Sequence, residues 1–242
     1  MPKGPLLLYP EGVKPPLTEA QEDYLKAILL LEEEGGRATT QALAEALGVR
    51  PASVTEMLKK LAELGLVRHT PYRGAELTPL GRQVALEVVR HHRLLETFLH
   101  QALGYSWEEV HAEAERLEHH ISEAFEHRIA ELLGHPERDP HGDPIPGPGL
   151  ELGLDEGMGL LQAPLGQARL LRVLAQDPDT LNLLAQLGLR PGREVEILER
   201  SPEGIRLKVG RKTYLLPLSL ARALRVQSAV APPSTGSTTP VT

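Results

Sequence analysis

The chain holds 242 residues, 41% of them hydrophobic and 24% charged, with 3% aromatics, no cysteine and a net charge of −7. That length exceeds one ordinary core, so two or three small domains are expected, and scarce aromatics leave Leu, Ala and Val to fill them, which suits helices. Lack of cysteine excludes disulfides, thiolate-bound zinc and iron–sulfur clusters, and the acidic balance argues against a general polyanion binder. No apolar run approaches the roughly 18 residues of a membrane span, and Leu6-Leu7-Leu8 is too short for a signal peptide, so no membrane partner and a cytoplasmic location are expected.

Residues 1–16 are rich in proline without periodicity and read as a flexible arm. The capping box T-E-A-Q at Thr18 predicts a helix to about Glu33, ended by Gly35-Gly36. A second helix is expected over Thr40–Leu47 with Gly48 as its stop, and a third from Pro51 to Leu64 before Gly65. Leu66–Thr78 holds two β-like segments around Y-R-G-A, a hairpin wing. Thr78-Pro79 opens a long helix to about Leu103, closed by Gly104, and Ser106-Trp107-Glu108-Glu109 predicts one further helix to about Leu133. Prolines and glycines crowd between His135 and Gly159, as in a linker. Short strand-like runs follow at 167–174, 194–199, 205–209 and 212–216, with one helix near Asp179–Leu187, suggesting a small β-barrel-like domain.

The expected organisation is therefore an arm (1–16), a winged helix-turn-helix (17–81), a helical domain (82–145), a linker (146–160), a β domain (161–227) and a disordered low-complexity tail (228–242). The fold class is mainly α with a small β domain.

Within Thr40–Gly65, the apolar positions Leu43, Ala44, Leu47, Val54, Leu58 and Leu61 form an internal face. Thr39, Arg50, Pro51, Ala52, Ser53, Thr55, Glu56, Lys59 and Lys60 are left as candidate DNA contacts, and the wing offers Arg73. Short side chains early in a reading helix can approach base edges, while Lys and Arg reach phosphates. From Arg50 to Arg82, six basic residues face three acidic ones, a local positive excess in an acidic chain. The alternative is a plain three-helix bundle with solvated charges.

Nine of the ten histidines fall between His91 and His141. Glu115, Glu118 and His119 have i, i+3, i+4 spacing, with His111 one turn earlier, and His92 and Glu96 form a similar stripe on the preceding helix. Carboxylates with imidazoles suit Mn²⁺ or Fe²⁺ better than Cu⁺. The alternative is a solvated face of i, i+4 pairs, and His91, His100, His120, His127, His135 and His141 are assigned to that class.

E-D-Y-L-K-A-I-L-L-L-E-E-E-G, L-A-E-A-L-G-V-R-P-A-S-V-T-E-M-L-K-K-L, Y-R-G-A-E-L-T-P-L-G, H-R-L-L-E-T-F-L and A-E-R-L-E-H-H resemble the diphtheria toxin repressor family of metal-dependent transcriptional repressors. D-P-H-G-D-P-I-P-G and L-G-L-R-P-G-R-E-V-E-I-L are similar to its long members, whose last domain is an SH3-like barrel of the FeoA type; the resemblance covers about Thr18 to Gln227. It implies a homodimer on a palindromic double-stranded DNA operator. It also implies a primary metal site of Asp23, Glu115, Glu118 and His119 and an ancillary site of His92, Glu96 and His111, completed by oxygen ligands from the last domain. Iron-responsive members carry Met and Cys where this chain has Asp23 and Glu115, so the resemblance is to the manganese-responsive branch, with Fe²⁺ as the alternative and Zn²⁺ or Co²⁺ as substitutes in vitro. Two departures stand out: short manganese regulators have Glu at the position of Lys26, and the expected last-domain ligands do not align cleanly, with Gln176, Asp177 and Asp179 as candidates.

The expected mechanism is corepression by metal. Asp23, Glu115 and Glu118 would gather negative charge that a dication neutralises, fixing the spacing of paired reading heads. A winged-helix regulator answering to a small molecule, and a di-metal carboxylate enzyme, are the rival readings.

Overall fold

The computed structural model describes residues 16–70, 74–153 and 157–228; residues 1–15 of the arm, Arg73 and residues 229–242 of the tail lie outside the described residues. The described residues form eight helices and eight strands in two compact units, one of 16–139 with 144–153, the other of 140–143 with 157–228.

In the first unit, α1 (Glu19–Glu33) opens on the expected capping box: Thr18 Oγ1 accepts from Gln21 N–H, and the Gln21 side chain accepts from Thr18 N–H. Helices α2 (Thr40–Leu47) and α3 (Pro51–Glu63) follow, with Thr39 capping α2 and proline at the first turn of α3. The turn between them depends on Gly48, whose φ of 64° lies in the left-handed region that a side chain disfavours. Strands β1 (Val67–Thr70) and β2 (Gly74–Leu77) pair antiparallel as the wing, Val67 opposite Leu77. At Gly74 a Cβ would stand 2.6 Å from the Ala38 carbonyl oxygen, so the wing can approach α2 closely only with glycine there.

The core of this head consists of Leu25, Ile28, Leu29, Leu43, Val54, Leu58, Leu61 and Leu66, all fully enclosed. Burying each leucine contributes roughly 1.5–3 kcal/mol. Helix α4 (Pro79–Leu103), capped by Thr78 and closed by Gly104, carries its first turns into the same core. A second core gathers Leu94, Leu95 and Leu99 of α4 with Val110 and Ala114 of α5 (Val110–Leu117) and Ile129 and Ala130 of α6 (Glu123–Leu132).

Here the structure departs from the single helix expected to run to Leu133. Ser106 pairs with Glu109 as foreseen, but the helix proper begins at Val110 and breaks after Leu117. The break has a local cause: His120 N–H turns back to the Leu117 carbonyl, and Ser122 caps a new helix by accepting from Phe125 N–H.

The second unit holds β3 (Met158–Gly159), β4 (Gly166–Val173), α7 (Pro178–Gln186), β5 (Glu194–Ser201), β6 (Gly204–Val209), β7 (Lys212–Pro217), α8 (Leu218–Arg222) and β8 (Leu224–Ser228). The strands form one antiparallel sheet in the order β3-β8-β4-β5-β6-β7. The expected barrel is thus an open sheet among the described residues: β3 and β7 are its edges, and β3 pairs over only two residues. Register shifts at Leu170/Arg172 and Ile197/Glu199 bend the sheet without closing it. Among the described residues no helix is long and apolar enough to cross a membrane.

Candidate metal centre

Three helices and the break after α5 bring nine chemistry-bearing side chains together in the first unit. α1 contributes Glu22, Asp23 and Lys26, α4 contributes His92 and Glu96, α5 contributes His111 and Glu115, and the break contributes Glu118 and His119. Glu22, Lys26, His92, Glu96 and Glu118 are buried, which ordinary surface charges never are without partners.

Two trios of donor atoms stand out. His92 Nε2, Glu96 Oε1 and His111 Nδ1 form a triangle with edges of 3.0, 3.1 and 3.1 Å. His119 Nε2 lies 2.9 Å from Asp23 Oδ1 and 3.4 Å from Glu118 Oε1. Adjacent ligands of an octahedral ion with bonds of about 2.1 Å sit about 3.0 Å apart, so the first trio has that spacing, and the atoms of the second all lie within 4.8 Å of one another, within reach of a single dication. The other ring nitrogen of His119, Nδ1, rests 2.6 Å from Glu22 Oε2. A carboxylate in that place fixes ring orientation and leaves Nε2 toward Asp23, the arrangement that supports histidine ligation. The donor set, all oxygen and imidazole nitrogen, fits Mn²⁺ or Fe²⁺.

The grouping differs from the expected one in one member. Asp23, Glu118 and His119 converge, whereas Glu115 sits with His92 and His111, its Oε1 3.9 Å from His92 Nδ1 and 3.8 Å from His111 Nε2. The reason is Lys26. Its Nζ donates to Glu115 Oε1 at 2.5 Å and to both oxygens of Glu118 at 2.8 and 2.9 Å. The expectation that Asp23, Glu115 and Glu118 gather negative charge is thereby modified: the Lys26 ammonium already stands between Glu115 and Glu118.

Electrostatics follow from this packing. Burial opposes the charge on Lys26, but Glu118 and Glu115 outweigh it and raise its pKa, so it remains a cation. Burial and the Lys26 charge both work against protonating His92, yet Glu96 and Glu118 lift it to about 9. His119 is likewise opposed by burial and lifted to about 10 by its bonds to Asp23 and Glu22. Glu115 is disfavoured by burial but held below its usual range by Lys26.

Sequence reasoning missed Glu22 as a member of this cluster, and it placed Lys26 at a ligand position without foreseeing its bonds to Glu115 and Glu118. It also placed His91 and His141 among solvated residues, and both are buried. His91 spans the Glu118 carbonyl and the Glu126 carboxylate, each at 3.1 Å, which removes it from the surface. The His141 carbonyl is tied to Val173 N–H within the second unit. Gln176, Asp177 and Asp179 are exposed, and Asp177 caps α7 by accepting from Thr180 N–H.

On the reading head, Arg50, Pro51, Ala52, Ser53, Glu56, Lys59 and Lys60 are exposed, and Thr55 is half-buried with its hydroxyl on the Pro51 carbonyl. Thr39 is committed to capping α2. A surface groove of about 460 Å³ is lined by Thr39, Gln41, Thr55, Lys59, Gly74 and also His69, a wing residue the sequence had not singled out.

Residues 16–75 match the family model described as the iron dependent repressor N-terminal DNA binding domain, 78–147 the iron dependent repressor metal binding and dimerisation domain, and 158–228 the FeoA domain. The chain is 35% identical over 225 residues to the iron-dependent repressor IdeR of Mycobacterium tuberculosis, covering 87% of this chain and 98% of that one. The chain belongs to the diphtheria toxin repressor family. Members of this family are metal-dependent DNA-binding repressors, and this chain carries the DNA-binding, metal-binding and dimerisation domains of that kind. It is also 43% identical over 105 residues to the HTH-type transcriptional regulator MntR of Geobacillus kaustophilus, covering 43% of this chain and 74% of that relative. Among solved structures, a manganese-dependent transcriptional repressor in complex with manganese superimposes with a TM-score of 0.82 at 39% identity, over 86% of this chain and 99% of that one. The manganese regulator SloR gives 0.75 at 31% identity, over 87% and 99%.

Proposed function

We propose that this family member is a manganese-responsive repressor that grips a palindromic operator as a homodimer and controls genes of metal homeostasis in the cytoplasm. Fe²⁺ is the second physiological ion in this reading, and Zn²⁺ or Co²⁺ would substitute in vitro. The observation that carries it is the pair of donor trios, His92–Glu96–His111 and Asp23–Glu118–His119, each compact enough for one dication and free of sulfur. Glu115 adds a further oxygen within reach of His92 and His111. A dication held there supplies positive charge that ties Asp23 on α1 to Glu118 and His119 beyond α5.

That link matters because α1 is also part of the reading head, its Leu25, Ile28 and Leu29 lying in the same core as α3. Fixing α1 fixes where Arg50, Ser53, Thr55, Lys59 and Lys60 meet DNA, with Thr39 holding the start of α2. Two heads so fixed match half-sites one helical turn or a multiple of it apart. Metal can shift the equilibrium only by its differential affinity, and moving from 1:99 to 99:1 requires about 5.5 kcal/mol. Function thus lies in occupancy-dependent binding, with no turnover.

The test is a gel-shift on the chain's own upstream DNA with Mn²⁺, Fe²⁺, Zn²⁺ or EDTA. Retardation with Mn²⁺ and its loss in EDTA are expected. Binding indifferent to chelator would hand the function to a small-molecule effector.

A further inference from the structure

The Lys26 ammonium has a complete site of its own. Its three N–H donors meet three carboxylate oxygens, Glu115 Oε1 and both oxygens of Glu118, and His92 Nδ1 stands 3.4 Å away. The side chain is buried, and so is Glu118, so solvent does little to weaken the pair. Glu118 Oε1 is the decisive atom. It lies 2.8 Å from Lys26 Nζ and 3.4 Å from His119 Nε2, so the ammonium and a dication in the Asp23–Glu118–His119 trio draw on the same oxygen.

We propose that Lys26 is an internal competitor for the metal: it holds Glu115 and Glu118 in the metal-free chain, and metal loads by displacing it from their oxygens. Lys26 is thereby a specificity-determining residue, resting on the reading of the trios as metal sites. The ammonium sets the free-ion concentration at which the site fills and keeps the empty cluster folded. Without it, the enclosed carboxylate of Glu118 would stand beside that of the half-exposed Glu115 with no ammonium between them, a destabilising state. With it, the metal-free chain is stable and loading needs a dication strong enough to outbid a charge already in place.

The experiment compares the full chain, stripped of metal by chelator, with Lys26→Met and Lys26→Arg. MnCl₂ is titrated calorimetrically, and thermal melting is followed in EDTA and in saturating Mn²⁺. Lys26→Met removes the charge and keeps the length; its Mn²⁺ affinity should rise by about tenfold or more, the scale of one lost charge-assisted bond. Its melting temperature in EDTA should fall, and the deficit should shrink when Mn²⁺ is saturating. Lys26→Arg keeps a cation and should bind Mn²⁺ no more tightly than the wild type. Mn²⁺ affinity in Lys26→Met equal to or weaker than wild type would overturn the proposal. Should that variant not fold, Lys26→Gln, which keeps donors without charge, is judged by the same criterion. A wild-type chain that binds no Mn²⁺ overturns the metal reading as well. One in which Glu118→Gln abolishes binding while Lys26→Met changes nothing overturns only the role of Lys26.

Discussion

Helix α1 has two sides, and they are enclosed by opposite means. Leu25, Ile28 and Leu29 share one apolar core with Leu43, Leu58 and Leu61, where an apolar group of similar volume would serve. Glu22 and Lys26, on the same helix, are also buried, but among polar partners: His119 for Glu22, and Glu115, Glu118 and His92 for Lys26. An apolar core spreads its stabilisation over many weak contacts; a polar cluster leaves an uncompensated charge whenever one partner is lost. The stability of the head core should therefore respond to volume and not to metal, and that of the cluster should do the reverse.

The largest effect that would break this contrast comes from Glu118→Gln, which takes a carboxylate from both Lys26 and the His119 trio. Mn²⁺ affinity measured by calorimetry should drop by roughly 100-fold or more, with the circular dichroism of the fold retained. Next, Leu58→Ala should cost about 2–5 kcal/mol in chemical denaturation, yet leave Mn²⁺ affinity of the folded fraction unchanged. Glu22→Ala, which frees the His119 ring, should weaken Mn²⁺ binding by about 10- to 100-fold, the usual cost of losing a partner that orients a ligand.

Proton competition sharpens the same comparison. His92 at about 9 and His119 at about 10 lie above their ordinary 6.5, so both rings are protonated in the metal-free chain at neutral pH. Their stabilising contribution is complete below 6.5 and fades as pH rises through 9 to 10, whereas metal needs the neutral ring. Mn²⁺ affinity should accordingly rise with pH, about tenfold per unit for each proton displaced, with proton release seen in buffers of different ionisation enthalpy. The smallest change is Lys60→Ala: an exposed charge, whose loss should lower the salt slope of DNA binding by about one and leave metal affinity alone.

The same contrast explains what was legible in the sequence. Caps at Thr18 and Thr78 and stops at Gly48 and Gly104 are local devices, and the helices they bound match the expected ones closely. The break after Leu117 was hidden because Ser122 competes with an otherwise continuous helical pattern, and only packing decides between them. Strands β3 and β8 were missed for a related reason: two residues of β3 carry no period, and β8 shows its alternation of Leu224 and Val226 only once its partner β4 is known. In the cluster, spacing revealed His92 with Glu96 and Glu115 with Glu118, but not that Lys26 would reach 2.5 Å from Glu115 across 89 positions of chain. Long-range pairs between unlike helices leave no period to read.

Exposure within the cluster is uneven. Asp23 and Glu115 have side chains 38% and 41% open to solvent, while those of Glu118, Glu96, His92 and His119 are 0, 3, 6 and 6% open. These two rim positions are the ones where the resemblance sets iron-responsive members apart. An exchange at these two outward-lying positions accordingly alters the donor chemistry offered to a metal while leaving the enclosed scaffold and the helices that carry it undisturbed.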